Sequence, residues 1–352
     1  MSMAGTIVLH MIDLYYRVKP LIPRRLQLLL RRIRISSILK RERNRWPILE
    51  EAGEPPVGWQ GWPDGKKFAL VLTHDVESSR GVAFCDRVAS IEEEYGFRSA
   101  FCFVPERYST PPEVRQNLVQ RGFEVFVHGL NHDGKLFRSK EIFDYRCDRI
   151  NQYLAEWETR GFASPAAHHN FAWISNFNID WSICSYDYDP FEPQGGGVGR
   201  IFPFWVSDTD HPDCGYVELP YTLAQDFTLL TLMGNSIELW CKKLDWIAER
   251  GGMALLKVHP DYMYFDESDK TRESYPAGLY RDFLGHVKSK YADVCWSALP
   301  GQVASFWKSH PAPKSHEQNR IKPTLCHCSS CEFLQEKGYL THFAPSTAST
   351  RV

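Results

Sequence analysis

Apolar runs of strand length recur through the middle of the chain. "FALVLT" (68–73), "RSAFCFV" (98–104), "FEVFV" (123–127), "WSICSY" (181–186), "IFPFWV" (201–206) and "MALLKV" (253–258) are rich in β-branched and aromatic residues and predict strands. Between them the period lengthens to that of a helix. In "KEIFDYRCDRINQYLAEWETRG" (140–161) Phe143, Cys147, Ile150, Leu154 and Trp157 step by four and three, which predicts a helix ended by Gly161. In "NSIELWCKKLDWIAERGG" (235–252) Ile237, Trp240, Leu244 and Ile247 do the same, and Gly251 with Gly252 stops the helix. Strand alternating with helix over about 240 residues predicts an α/β fold on a parallel sheet, either a barrel or a doubly wound sheet.

The polar residues then fall into place. Asp75 and Glu77 follow the first run, His128 and His132 the third, Asp187 and Asp189 the fourth, and His259 the last. Each group stands where a strand ends, and in a parallel barrel those ends meet on one face, where such folds place their chemistry. Side chains alternate along a strand, so Asp75 and Glu77 point one way and Val76 the other. In "HGLNHDG" two histidines four apart can face one ion from a helical turn, with Gly129 permitting a tight exit from the strand. Two histidines, one carboxylate and an open position make a catalytic zinc site. One acid can ligate the metal while the other takes a proton from water.

At these residues the chain resembles the polysaccharide deacetylase family, carbohydrate esterase family 4. "THDVE" resembles its first motif, "HGLNHDG" the second, "FASPAAHHN" the third, "YDYDPFEP" the fourth and "LLKVHPD" the fifth, in order over roughly residues 66 to 300. The resemblance implies an irregular, seven-stranded parallel (β/α) barrel of the glycoside hydrolase/deacetylase type. It implies hydrolysis of the N-acetyl or O-acetyl group of a sugar, as in surface polysaccharide or glycoconjugate biosynthesis. It also implies a divalent metal, zinc or cobalt, on Glu77, His128 and His132, with Asp75 as base and His259 as acid towards the leaving group. Pro165, His169, Asp187 and Asp189 are the implied substrate-binding positions.

Two departures stand out. Ala163 occupies the position where the family's third motif usually has an arginine that orients the base, and Val76 separates acids that are commonly adjacent. The reverse assignment of Asp75 and Glu77 therefore stays open. So do a catalytically impaired carbohydrate-binding or scaffold protein and a metal hydrolase of another amide.

Charge and composition set the surroundings. With 352 residues, 43% of them hydrophobic, the chain is long enough for a sizeable core, and a net charge of −2 gives no global field for nucleic acid. Between Arg17 and Arg45, eleven Lys or Arg face one acid, Glu42, interleaved with Leu26, Leu29, Leu30 and Ile33. This segment reads either as an interfacial helix on anionic lipid or as a helix docked on the main domain. It lacks the features of a secretory signal or a membrane span. Ten scattered cysteines suit a reducing compartment, so the expectation is cytoplasmic, and peripheral at the inner membrane face on the interfacial reading of the basic segment. "CHCSSC" (326–331), with His327 or His342, is a candidate zinc cluster. "QGGGVGR" (194–200) lacks a phosphate-loop lysine and reads as a mobile loop. The expected division is a basic segment over 1–60, the barrel over 61–309 and a loosely ordered tail over 310–352.

Overall fold

The computed structural model describes residues 23–193, 197–208 and 214–309, and the backbone of residues 320–321. The candidate zinc cluster at 326–331 lies outside the described residues, as do residues 17–22 of the basic segment and part of the Gly-rich loop. Strands are β1 (Phe68–Val76), β2 (Ala100–Phe103), β3 (Glu124–His128), β4 (Gly161–Ala163), β5 (Trp181–Ile183), β6 (Phe204–Ser207), β7 (Gly215–Glu218), β8 (Met253–Val258), β9 (Met263–Tyr264), β10 (Tyr275–Pro276), β11 (Cys295–Ser297) and β12 (Arg320–Ile321). Helices are α1 (Arg24–Glu42), α2 (Ser79–Tyr95), α3 (Pro112–Gln120), α4 (Lys140–Glu156), α5 (Phe171–Ile174), α6 (Glu238–Arg250), α7 (Gly278–Tyr291) and α8 (Pro300–Ser309).

β1 is buried along its whole length, as a run without polar alternation should be when helices cover the outer face of a parallel sheet and side chains fill the barrel interior. One edge pairs with β8, from Ala69 opposite Met253 to His74 opposite Val258. The other edge is shared, with β11 against Phe68–Leu70 and β2 against Thr73–Val76. From β2 the sheet continues in parallel through β3, β4, β5 and β7. Counting β8, β1 and β11, eight strands run parallel and curl into the barrel-like sheet that the motif resemblance implies, one more than the seven expected because β11 shares an edge of β1 with β2. Between β7 and β8 closure is irregular: Thr222 and Leu223 donate their backbone N–H groups to the Leu255 carbonyl, and Leu255 N–H donates to the Thr222 hydroxyl.

Two differences from the sequence expectation have simple causes. "IFPFWV" does form a strand, β6, but it runs antiparallel to β7, because the short connection 208–214 allows a hairpin whereas a parallel return needs a crossover of about a dozen residues. α4 ends at Glu156, short of Gly161, which instead opens β4. A Cβ on Gly161 would lie 2.1 Å from the Trp181 ring, so this glycine serves strand packing rather than helix termination. α6 does stop at Gly251, in the left-handed conformation at φ 75°.

α1 docks on the rim of the barrel. Leu28 and Ile35 pack with Phe227 and Leu232 in a small separate core, Arg31 lies 4.9 Å from the Phe227 ring, and Glu42 accepts a hydrogen bond from the Tyr188 hydroxyl at 2.7 Å. The docked-helix reading thus describes its inner face. Trp46, Ala52 and Trp62 belong to the main core, so packing runs on across residue 60. Among the described residues no helix is long and apolar enough to cross a membrane.

Candidate active site

The C-terminal ends of β1, β3 and β8 converge. Asp75 is the penultimate residue of β1 and Glu77 the residue just beyond it; His128 ends β3; His259 follows β8. The chain leaves β3 through Gly129 at φ 59°, where a Cβ would lie 2.8 Å from the Pro165 ring. It then places His132 at φ 53°, a left-handed conformation uncommon outside glycine and enriched at functional sites. One ligand atom each from Glu77, His128 and His132 lie within 4.8 Å of one another. Both ring nitrogens of His128 are buried without a hydrogen-bond partner, a costly state for polar atoms unless something else occupies them.

The donor set fits a divalent cation. Burial pushes His128 down to about 4, against the pull of Asp75, which keeps the imidazole in the neutral form that ligates metal. Burial opposes ionisation of Glu77, yet His132, His259 and His128 beside it hold its carboxyl well below the usual range. Nε2 of His132 is 2.8 Å from Oε1 of Glu77, in an alignment too poor for a hydrogen bond. Arg107 Nη1 lies 2.5 Å from Nδ1 of His132. A guanidinium only donates, so in this arrangement neutral His132 carries its proton on Nε2; loading that atom with metal requires the proton to shift and Arg107 to give way. A second set, Asp75, Cys102 and His128, shares His128, but burial, reinforced by Asp75, holds the Cys102 thiol well above its ordinary pKa, in its poorly ligating protonated form.

Asp75 and His259 flank this set with opposite tendencies. Burial resists the charge on Asp75, but Lys257 at 3.3 Å, with His128 and His259, holds the carboxyl below its ordinary range. His259 is also buried, yet Asp226, with Glu77 and Asp75 behind it, lifts the imidazole to about 10. Asp226 accepts from the His259 ring Nδ1–H and from its backbone N–H, each at 2.7 Å, and from the Tyr275 hydroxyl at 2.8 Å. Tyr262 donates its hydroxyl to Glu77 at 3.2 Å and sets its ring 5.1 Å from that of His259. A buried carboxylate base and a protonated imidazole acid on either side of a ligand set are the parts of hydrolytic acyl transfer.

The other positions named from sequence are placed as follows. Pro165 lines a small pocket with Gly129, His132 and His168. His169 stacks on Phe171 and bonds the Ala167 carbonyl through Nδ1. Asp187 is turned to Lys243 of α6, 2.7 Å away, and does not join the cluster. Asp189 caps the Phe191 N–H and is pushed up to about 8 by burial and by Glu192.

Sequence reading missed Asp226 and Lys257. Both carried a signal, an acid within "LAQDFTLL" and a lysine within "MALLKV", since charged residues in apolar runs are seldom buried without a partner. Asp226→Asn should leave metal content unchanged and lower kcat about a hundredfold. Because the acid must be protonated to act, losing the anion that raises its pKa should move the alkaline limb of the rate profile to lower pH. A pH–rate series on metal-loaded protein checks both.

Neither a protein-family model nor any curated protein sequence matches this chain. Solved structures do. A provisionally assigned polysaccharide deacetylase from Mycobacterium smegmatis superposes with a TM-score of 0.53 at 20% identity, over 72% of this chain and 94% of that one. PuuE allantoinase superposes with a TM-score of 0.52 at 14% identity, over 71% and 93%. The chain therefore has a polysaccharide-deacetylase-like fold, the barrel shared by these two structures.

Proposed function

We propose that the protein is a metal-dependent deacetylase that hydrolyses the N-acetyl or O-acetyl group of a sugar during assembly of a surface polysaccharide or glycoconjugate. The observation that carries this reading is the convergence of Glu77, His128 and His132 within 4.8 Å, with Asp75 on one side and the His259–Asp226 pair on the other. Glu77, His128 and His132 would hold the cation, zinc or cobalt. When bound, such an ion polarises an acetyl carbonyl and lowers the pKa of nearby water, which matters because Asp75 is a weak base at its depressed pKa. Asp75 takes the proton of the attacking water as the new C–O bond forms. His259 gives its proton to the nitrogen or oxygen that leaves as the acetyl bond breaks, so that acetate and the free amine or alcohol result.

The near-equal superposition on an allantoinase supports a second reading, hydrolysis of a non-sugar amide by the same groups. Metal analysis of the purified protein, followed by acetate release from a panel of N- and O-acetylated sugars with allantoin alongside, separates the cases. Acetate release that requires the metal is the expected result. Turnover of allantoin without acetate release selects the second reading; failure to bind zinc or cobalt leaves a carbohydrate-binding scaffold.

A further inference from the structure

α1 has two apolar faces, and the barrel covers one. Gln27, Leu28, Ile35 and Ile38 are buried against the rim. Leu26, Leu29, Leu30 and Ile33 are 45%, 53%, 42% and 58% exposed, although they repeat at three- and four-residue spacing like any core-facing stripe. At 3.6 residues per turn they point directly away from the barrel, with exposed Arg25 along one side of the stripe and exposed Arg34 along the other. The helix has no acid in its first turn, and Lys40 and Arg41 occupy its last. Large apolar side chains held in water between arginines fit a surface that is apolar beneath and anionic at its boundary, which is a bilayer of acidic lipids.

The placement of this stripe relative to the catalytic cluster is equally specific. The inner face of α1 rests on the turn Phe227–Leu232, whose N-cap is Asp226, the partner of His259. The Phe227 ring lies 4.5 Å from that of Tyr262, inclined to it, and Tyr262 touches both Glu77 and His259. At its other end Glu42 reaches Tyr188, in the loop after β5. α1 thus lies on the side of the barrel where the strand ends deliver the acids and histidines, with Phe227 and Tyr262 between its inner face and Glu77 and His259.

We propose that the outward stripe of α1 seats on an anionic membrane surface, holding the catalytic face at the bilayer, and that the acetylated sugar it hydrolyses is carried on a membrane lipid. The contact is peripheral: the stripe spans two turns and enters only the headgroup and upper acyl region. Arginines supply the attraction and leucines the residence. The lipid-carried substrate rests on the deacetylase reading; the docking surface does not.

The test uses full-length protein and vesicles of phosphatidylcholine with or without phosphatidylglycerol. The wild type should sediment with anionic vesicles at low salt, not with neutral ones, and binding should fall at least tenfold as the Debye length shrinks from about 10 Å at 0.1 M to about 3 Å at 1 M salt. Leu29→Asn with Ile33→Asn should lose vesicle binding while keeping metal content and activity on a soluble acetylated sugar. Wild type should also cleave a lipid-linked N-acetyl sugar in anionic vesicles at least tenfold faster, by kcat/KM, than the same sugar free in solution, and the double variant should lose that preference. Unchanged sedimentation of the double variant overturns the assignment of this face. A wild-type dimer that the double variant converts to monomer, without vesicle binding, assigns the stripe to a second copy instead. Vesicle binding with no acetate released from either substrate keeps the docking surface and rejects the deacetylase reading. Equal rates on the free and lipid-linked sugars reject the lipid-carried substrate alone.

Discussion

His128→Ala should strip tightly bound divalent metal from the protein and abolish hydrolysis. Among the described residues His128 contributes to both candidate donor sets; it ends β3 and has both ring nitrogens buried and unsatisfied, so no neighbour replaces it. His132→Ala should do the same less completely, since its ring is partly exposed and water can take its place. The two acids should separate. Glu77→Ala removes an oxygen that lies among the histidine nitrogens and should lower metal occupancy, whereas Asp75→Asn should keep the ion and cost roughly a hundred- to ten-thousand-fold in rate. Metal content by elemental analysis, read beside kcat on the same preparations, decides the matter. Metal loss in Asp75→Asn with full occupancy in Glu77→Ala would exchange the two roles.

The legible parts of this molecule were those where one residue type carries a whole instruction. An unbroken apolar run such as Phe68–Thr73 has to be a strand buried on both faces, and an acid or histidine just past its end has to sit at the barrel mouth, so the sequence alone places Asp75, Glu77, His128 and His259 together. The "H-x-x-x-H" spacing pointed to a shared ion, although the pair stands on a strand end and a left-handed turn rather than on a helix. Not every strand was legible. β4 and β7, of three and four residues, lie in segments that no apolar run of strand length marks, and they exist because neighbouring strands fix them. Partners across the fold were also hidden: nothing local says that Asp226 meets His259, or that Asp187 turns to Lys243 on a helix more than fifty residues later. The substitution at Ala163 looked like a loss for the same reason, because a cation that replaces a missing arginine need not come from the same strand.

Lys257 answers that loss and carries the second large expectation. It stands opposite Thr73 in the β8–β1 register, is 2% exposed, and places Nζ 3.3 Å from Oδ2 of Asp75. Ala163 is buried in β4 and brings no charge to the site. The cation that orients the Asp75 carboxylate and keeps it ionised therefore comes from β8. Lys257→Met preserves the bulk of the side chain and removes the charge. It should reduce kcat about a hundredfold with metal content and KM little changed, and Lys257→Arg should recover part of the rate. Stability should respond as well, because breaking a buried pair leaves a carboxylate uncompensated at a cost of about 3 kcal/mol. The pH dependence gives the sign. In the wild type the Asp75 pKa is lowered, so its contribution is present above its unfolded value and is lost as pH falls through the folded one. Without Lys257 burial dominates and the pKa rises, so the variant should lose stability as pH increases through that raised value. Denaturant midpoints of wild type and Lys257→Met between pH 4 and pH 8 should therefore diverge with increasing pH. Parallel midpoints with full kcat would mean that Lys257 neither positions nor charges Asp75, and that the loss at Ala163 stands without replacement.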